Sequence, residues 1–271
     1  MRGSSRGAVH EGRSAFEAAA GQAGDMSSLA EELFAVSALI DDNATLRRAL
    51  SDPSREGEDK RGLVERLLGG KVSSETLSVV GTLAAQRWSD ERDLGDTVER
   101  FAVEAALAGA ESSGRIDAVE DELFRFERLV AGNPDLRDAL TNRHGDREGK
   151  AELVRTLLEG KASPETVRLA RQAVLAPRGR RFDRVLETYL GYAASRREQL
   201  TAVVTSATPL TEEQAERLSA ALQRIYSKPI LLQQVVEEDV IGGIRVQVGD
   251  EVVDGTVLRR LDEARRHLAG G

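Results

Sequence analysis

The stretch that comes closest to chemistry is Leu68-Gly69-Gly70-Lys71-Val72-Ser73. A glycine-rich turn followed by lysine can cradle phosphate oxygens on its backbone N–H groups. Such a loop needs a glycine five residues before Gly70, where Glu65 stands, and it follows a strand rather than the helical spacing seen here. The glycines therefore read as a helix C-cap. His10, His144 and His267 lie in separate segments without ligand spacing and read as surface residues. Glu31-Glu32 and Glu237-Glu238-Asp239 are of the type used in general acid–base work, but acid clusters of this kind are common on solvated faces. The basic concentration Arg171, Arg178, Arg180, Arg181 and Arg184 could grip RNA or an acidic partner; a solvated loop is the plainer reading. Trp88, the single tryptophan, stands at a helix end and closes a core. With no cysteine, thiol nucleophiles, disulfides and Cys-ligated metals are excluded. No catalytic residue, cofactor site or metal site is expected.

The 271 residues carry a formal charge of −8, with 40% apolar and 31% charged residues. The acidic balance argues against a dedicated nucleic-acid binder, whose affinity rests on neutralising phosphates. The polar start, Met1 to Gly7, has no apolar core of a secretory signal, and no run of 18 apolar residues occurs. These features predict a cytosolic protein that reaches a membrane only through partners. Arg outnumbers Lys by 33 to 5, which reads as coding bias, and Asn43-Ala44-Thr45 as a chance sequon.

What positions these residues is a duplication. Residues 33–77 align with 123–167 at a constant offset of 90, with 19 identities in 45 positions and no gap. Leu63-Val64-x-x-Leu67-Leu68 meets Leu153-Val154-x-x-Leu157-Leu158, Gly70-Lys71 meets Gly160-Lys161, and Ser73-x-Glu75-Thr76 meets Ser163-x-Glu165-Thr166. Leu29, Leu33, Phe34, Val36, Leu39 and Ile40 recur as Val119, Leu123, Phe124, Phe126, Leu129 and Val130, the spacing of one apolar helical face. Asp52-Pro53 and Asn133-Pro134 break the pattern. Ser163 before Pro164 reads as an N-cap with proline at the first helical position. Stretches at 94–107 and 182–193 close the copies, and an amphipathic stretch over 8–20 precedes the first.

After about residue 199 the periodicity changes. Leu200 to Ser206, Ile230 to Val236 and Ile244 to Val248 read as strands. Thr211 and Gln214 form a capping box for a helix over 211–226, with Ala215, Leu218, Leu222 and Ile225 facing inward. Gly249-Asp250 signals a hairpin, and a final helix is expected from Gly255 through Leu258 and Leu261. The fold class is mainly α: two related helical bundles, 1–112 and 113–198, then a small α+β domain over 199–271. Their net charges are −7, +2 and −3.

In the segment from Val236 to Leu261, Glu237, Val240, Gly242, Gly243, Gly249, Asp250, Asp254, Gly255 and Leu261 occupy spaced positions around an alternating strand. This string closely resembles the C-terminal signature of the ATP synthase delta subunit family, which includes the mitochondrial oligomycin-sensitivity-conferring protein. Pro209-Leu210-Thr211 and Lys228 before a Leu-rich strand also fit, and both helical copies resemble the family's N-terminal domain. The common family form has one such bundle, whereas this chain carries two. The resemblance implies a non-catalytic stator component at the cytoplasmic face of a bacterial cell membrane. Its partners would be the N-terminal helices of the alpha subunits and the b subunit of the peripheral stalk. It further implies an alpha-binding surface on the first and fifth helices, around Ala15, Phe16, Ala19, Leu77, Val80 and Ala84, with an apolar groove left open. Gly242, Gly243, Gly249, Asp250, Asp254 and Gly255 are expected to be structural. The duplication alone would also suit a helical adaptor unrelated to that complex.

Overall fold

In the computed structural model the 90-residue offset of the sequence becomes an offset between whole helices. Described are residues 3–142, 145–198, 200–226, 228–237, 240, 242–248 and 251–254. The first helices are α1 (Gly3–Gln22), α2 (Met26–Asp42), α3 (Ala44–Ser51), α4 (Gly57–Leu68) and α5 (Ser74–Ala85). They are followed by α6 (Asp93–Ser112), α7 (Ile116–Gly132), α8 (Pro134–Thr141), α9 (Arg147–Leu158), α10 (Pro164–Leu175) and α11 (Phe182–Glu198). Adding 90 to both bounds of α1 through α5 gives the bounds of α6 through α10.

One helix thus holds two places. By order α6 is the sixth helix of the first copy, and by offset it is the first helix of the second. It packs on α1, α2 and α5 on one side and on α7 and α10 on the other. Of its 20 residues, 13 are buried, Leu94, Val98, Phe101, Ala105 and Leu107 among them. A helix buried on nearly every face is one enclosed by neighbours. Its alanines, at 102, 105, 106, 108 and 110, let those neighbours approach closely. Both copies consequently share a single hydrophobic cluster that runs from Ala8 to Ala193.

Local sequence explains the helix ends. Asn43 and Asn133 each accept a bond from the amide three residues on, at Leu46 and Leu136. Gly70 and Gly160 both sit at φ +71°, the left-handed conformation that ends α4 and α9 at little steric cost. Glu32 accepts from the Ser73 amide at 3.0 Å, the Ser73 hydroxyl at 2.6 Å and the Thr76 hydroxyl at 2.5 Å. Glu122 takes the same partners one repeat on: the Ser163 amide at 2.8 Å, the Ser163 hydroxyl at 3.2 Å and the Thr166 hydroxyl at 2.5 Å. Each carboxylate so closes the N-terminus of α5 or α10, where the helix dipole favours negative charge. The expectation for Ser163 is corrected in one respect. It stands at the N-cap of α10, but its side chain makes no capping bond, and its hydroxyl donates to Glu122.

Burial alone would raise the Glu32 carboxyl, but the Ser73 and Thr76 hydrogen bonds outweigh it and hold its pKa below the ordinary value. A lowered folded pKa contributes stability above the unfolded value of about 4.3, and this is lost as pH falls through the folded one. Glu32→Ala is therefore expected to cost about 1–3 kcal/mol at pH 7 and less at pH 3. Urea denaturation at both values checks this; an equal cost at the two would contradict it.

The first compact unit extends to Ala194, and the second begins at Ser195. The second unit contains β1 (Leu200–Ser206), α12 (Glu212–Tyr226), β2 (Ile230–Val236), β3 (Ile244–Val248) and β4 (Glu251–Asp254). The sheet order is β2-β1-β3-β4, with β1 parallel to β2, antiparallel to β3, and β3 antiparallel to β4. The parallel pair needs a crossover, which α12 supplies. Thr211 and Gln214 form the expected reciprocal capping box. Ala202, Val204, Leu222, Ile230, Val246 and Val248 make the core. Ile225 is corrected: it is 71% exposed, and Tyr226 continues the face of Leu218 and Leu222 in its place. The helix expected after Gly255 lies outside the described residues. No described helix is long and apolar enough to cross a membrane.

Candidate partner-binding surfaces

Helices α1 and α5 pack together at close range. A Cβ on Gly12 would fall 2.2 Å from Leu83 Cδ2, so the seam accepts glycine there. Of the six residues assigned to partner binding, Phe16, Ala19, Val80 and Ala84 are buried in the core. Ala15 and Leu77 are half-buried. Phe16 stacks on Phe101 of α6 with ring centroids 4.8 Å apart, and the Arg13 guanidinium sits 4.9 Å from the Phe101 ring. Arg13 also holds Glu104 through two hydrogen bonds, one of 2.8 Å. The sequence-derived patch is thus a filled seam with a half-open margin at Ala15 and Leu77.

A separate apolar hollow shares only Val80 with these six residues. Val36, Leu39, Ile40, Leu46, Leu50, Val64, Leu67, Leu68 and Val80 line it, from α2 to α5. Leu39 is 43% and Leu67 37% exposed. Sequence reading placed Leu39 on an apolar stripe and Leu67 in a repeated motif, but periodicity does not say whether a neighbour covers a residue. Phe124 and Leu129 of the second copy are corrected in the same way: read on the apolar stripe, they are 53% and 51% exposed.

At Arg178 and Arg180 the basic segment departs from both readings made of it. Arg178 is a buried anchor, its side chain 8% exposed, at φ +50° just before Gly179 at φ +74°. It lies 2.5 Å from Asp41, 2.8 Å from Asp96 and 3.6 Å from Glu99, and it donates to the Ser37 hydroxyl. Arg180 grips both oxygens of Glu99 at 2.7 and 2.8 Å, and the Tyr189 hydroxyl donates to Glu99 at 2.7 Å. Burial pushes the Tyr189 phenol well above its usual pKa, so it stays a donor. These arginines belong to the second copy and the carboxylates to α2 and α6. The segment is an intramolecular clasp between the copies. Arg181 and Arg184 alone face solvent, paired with Asp183 and Glu187.

The acid pair of α2 is spent on structure as well, since Glu32 closes α5 and Glu31 meets Arg168 at 2.6 Å. Trp88 is buried and donates to the Leu83 carbonyl at 2.9 Å, closing the end of α5. His144 and His267 lie outside the described residues.

In the second unit, Gly242 and Gly243 have φ +63° and +83°. Two consecutive left-handed residues turn the chain into β3, and a side chain there is strained. Asp254 ends β4 opposite Arg245. Gly249, Asp250 and Gly255 lie outside the described residues. Gly243→Val is expected to cost about 1–3 kcal/mol, because a β-branched residue is held in a sparsely populated region. The thermal midpoint of the second unit reads this; an unshifted midpoint would count against a structural role for the pair.

Comparison with known proteins gives two results of one kind. The family model described as ATP synthase delta (OSCP) subunit matches twice, over residues 12–103 and 97–268. The two matches overlap inside α6, the helix that both copies use. The chain is 52% identical to "ATP synthase subunit delta" of Kineococcus radiotolerans over 246 residues, 91% of this chain and 89% of that one. To the protein of the same name from Streptomyces coelicolor it is 46% identical over 270 residues, covering 99% and 98%. To that from Beutenbergia cavernae it is 42% identical over the whole of both chains.

Proposed function

The chain belongs to the ATP synthase delta (OSCP) subunit family, and from that premise we propose that it is a non-catalytic peripheral-stalk subunit of a proton-translocating F-type ATP synthase. The observation that carries the reading is the doubled family match, which spans residues 12–268 without a gap. A stator links the catalytic alpha/beta head to the b-subunit stalk and resists the torque of the rotor. That task needs extended contacts and a stiff body. The shared helix α6 and the Arg178–Glu99 clasp supply stiffness within the first unit, since they leave the two copies no hinge to bend at. The helical copies take the N-terminal helices of the alpha subunits by helix-in-groove contact, and the α+β unit takes the b subunit. On the first copy, the margin at Ala15 and Leu77 and the hollow beyond Val80 form the contact surface for alpha. The protein reaches the cytoplasmic face of the membrane through these partners.

Affinity recovery from detergent-solubilised membranes tests this. Alpha and b are expected to co-purify with the chain, and Leu77→Arg is expected to lower alpha recovery while b is retained. Recovery of soluble partners alone would favour an adaptor outside the complex, and nuclease-sensitive recovery an RNA-bound protein.

A further inference from the structure

The duplication makes one copy a template for the other. Along α2, Ser27, Glu31, Phe34, Ser37 and Asp41 recur at steps of three and four residues and so share one stripe. Arginines of the second copy reach both ends of that stripe. Arg168 of α10 donates to the Ser27 hydroxyl at 2.7 Å and to Glu31 at 2.6 Å, while Arg178 reaches Ser37 and Asp41 further along. Phe34, midway between them, is only 6% exposed.

One repeat on, the same stripe of α7 carries Asp117, Asp121, Phe124, Glu127 and Ala131. No third helical copy follows among the described residues, and Phe124 is 53% exposed, flanked by exposed Asp117 and Asp121. Where α2 offers the hydroxyls of Ser27 and Ser37, α7 offers the carboxylates of Asp117 and Glu127. A carboxylate is the better acceptor for a guanidinium fork. Arg125 meets Asp121 at 2.6 Å, but both side chains are more than half exposed, and a pair of that kind is worth at most about 1 kcal/mol. Arg128 borders the stripe without reversing its acidic balance.

We propose that this face of α7 docks an arginine-bearing helical segment of a partner subunit, seated over Phe124 as the second copy's own arginines are seated around Phe34. The guanidinium groups pair with Asp117, Asp121 and Glu127, and an apolar residue between them covers the ring. Arg168 and Arg178 are ten residues apart in the chain, and the stripe from Glu31 to Asp41 is about 15 Å long at helical rise. The partner's arginines are to span a similar length.

This inference rests on membership in the assembled complex, and the test separates the two. Phe124 is exchanged for the photo-cross-linker p-benzoylphenylalanine in the full chain, the complex is purified in detergent and irradiated, and adducts are mapped by mass spectrometry. Expected is an adduct on an arginine-bearing helical segment of another subunit. Its yield should fall about tenfold when Asp117→Arg and Asp121→Arg are added, because like charges then face each other. All three positions are exposed, so an unchanged circular dichroism spectrum verifies folding. No adduct, an adduct within this chain, one on a segment without arginine, or a yield indifferent to charge reversal would overturn the proposal. Absence of the chain from the complex would remove the stator reading and this inference together; presence without the adduct removes this inference alone.

Discussion

Glu99→Ala is expected to destabilise the first unit by about 3–5 kcal/mol, because it breaks a buried ion pair and leaves its partners behind. The Glu99 side chain is 3% exposed and receives Arg180 through two hydrogen bonds and Tyr189 through one. Without it, the buried Tyr189 hydroxyl loses its acceptor, and Arg178 retains Asp41, Asp96 and the Ser37 hydroxyl. The Arg178 backbone adds to the effect. A non-glycine residue at φ +50° persists only while its surroundings hold it. Tyr189→Phe should cost less, about 1–2 kcal/mol, since Glu99 then keeps both arginines. Urea denaturation checks the order of the two variants. A Glu99→Ala protein as stable as its parent would contradict the clasp, because truncating one partner of a buried pair leaves the others uncompensated.

Phe101→Ala is expected to cost a similar about 3–5 kcal/mol by emptying a fully buried ring site. The ring stacks on Phe16 and lies under the Arg13 guanidinium, so both contacts are lost at once. Its position distinguishes it from other large core residues. Because α6 belongs to both copies, the variant should unfold both of them together, in one transition at lower denaturant. Fluorescent labels placed in α4 and in α9 would report this. Separate midpoints for the two labels would show that the copies fold independently and that α6 is not shared between them.

Much of this architecture was legible in the sequence, for reasons that also explain the gaps. The helices of each copy could be read because Leu29, Leu33, Val36 and Ile40 face the same core as their counterparts 90 residues later. The capping box of Thr211 and Gln214 could be read because its chemistry is local. The double role of α6 could not. At the offset of 90, α1 and α6 share three alanines, 15/105, 18/108 and 20/110. The two helices have different neighbours, and α6, enclosed on more sides, needs apolar residues where α1 has polar ones. The clasp was hidden for another reason. Arg178 and Arg180 read as a solvated loop because their carboxylate partners lie more than 80 residues away. The Glu32 and Glu122 bonds, 41 and 44 residues long, escaped for the same cause. At the candidate site, the family resemblance pointed to six residues on α1 and α5, and residue type alone does not tell a binding face from core; four of the six fill the seam between the helices.

The most direct test of the central claim is ATP-driven proton pumping by membranes from which this chain has been stripped and to which it is then returned. The account predicts that stripped membranes pump little, while the catalytic head continues to hydrolyse ATP, and that adding the purified chain restores pumping. Undiminished pumping in membranes shown to lack the chain would contradict a stator role.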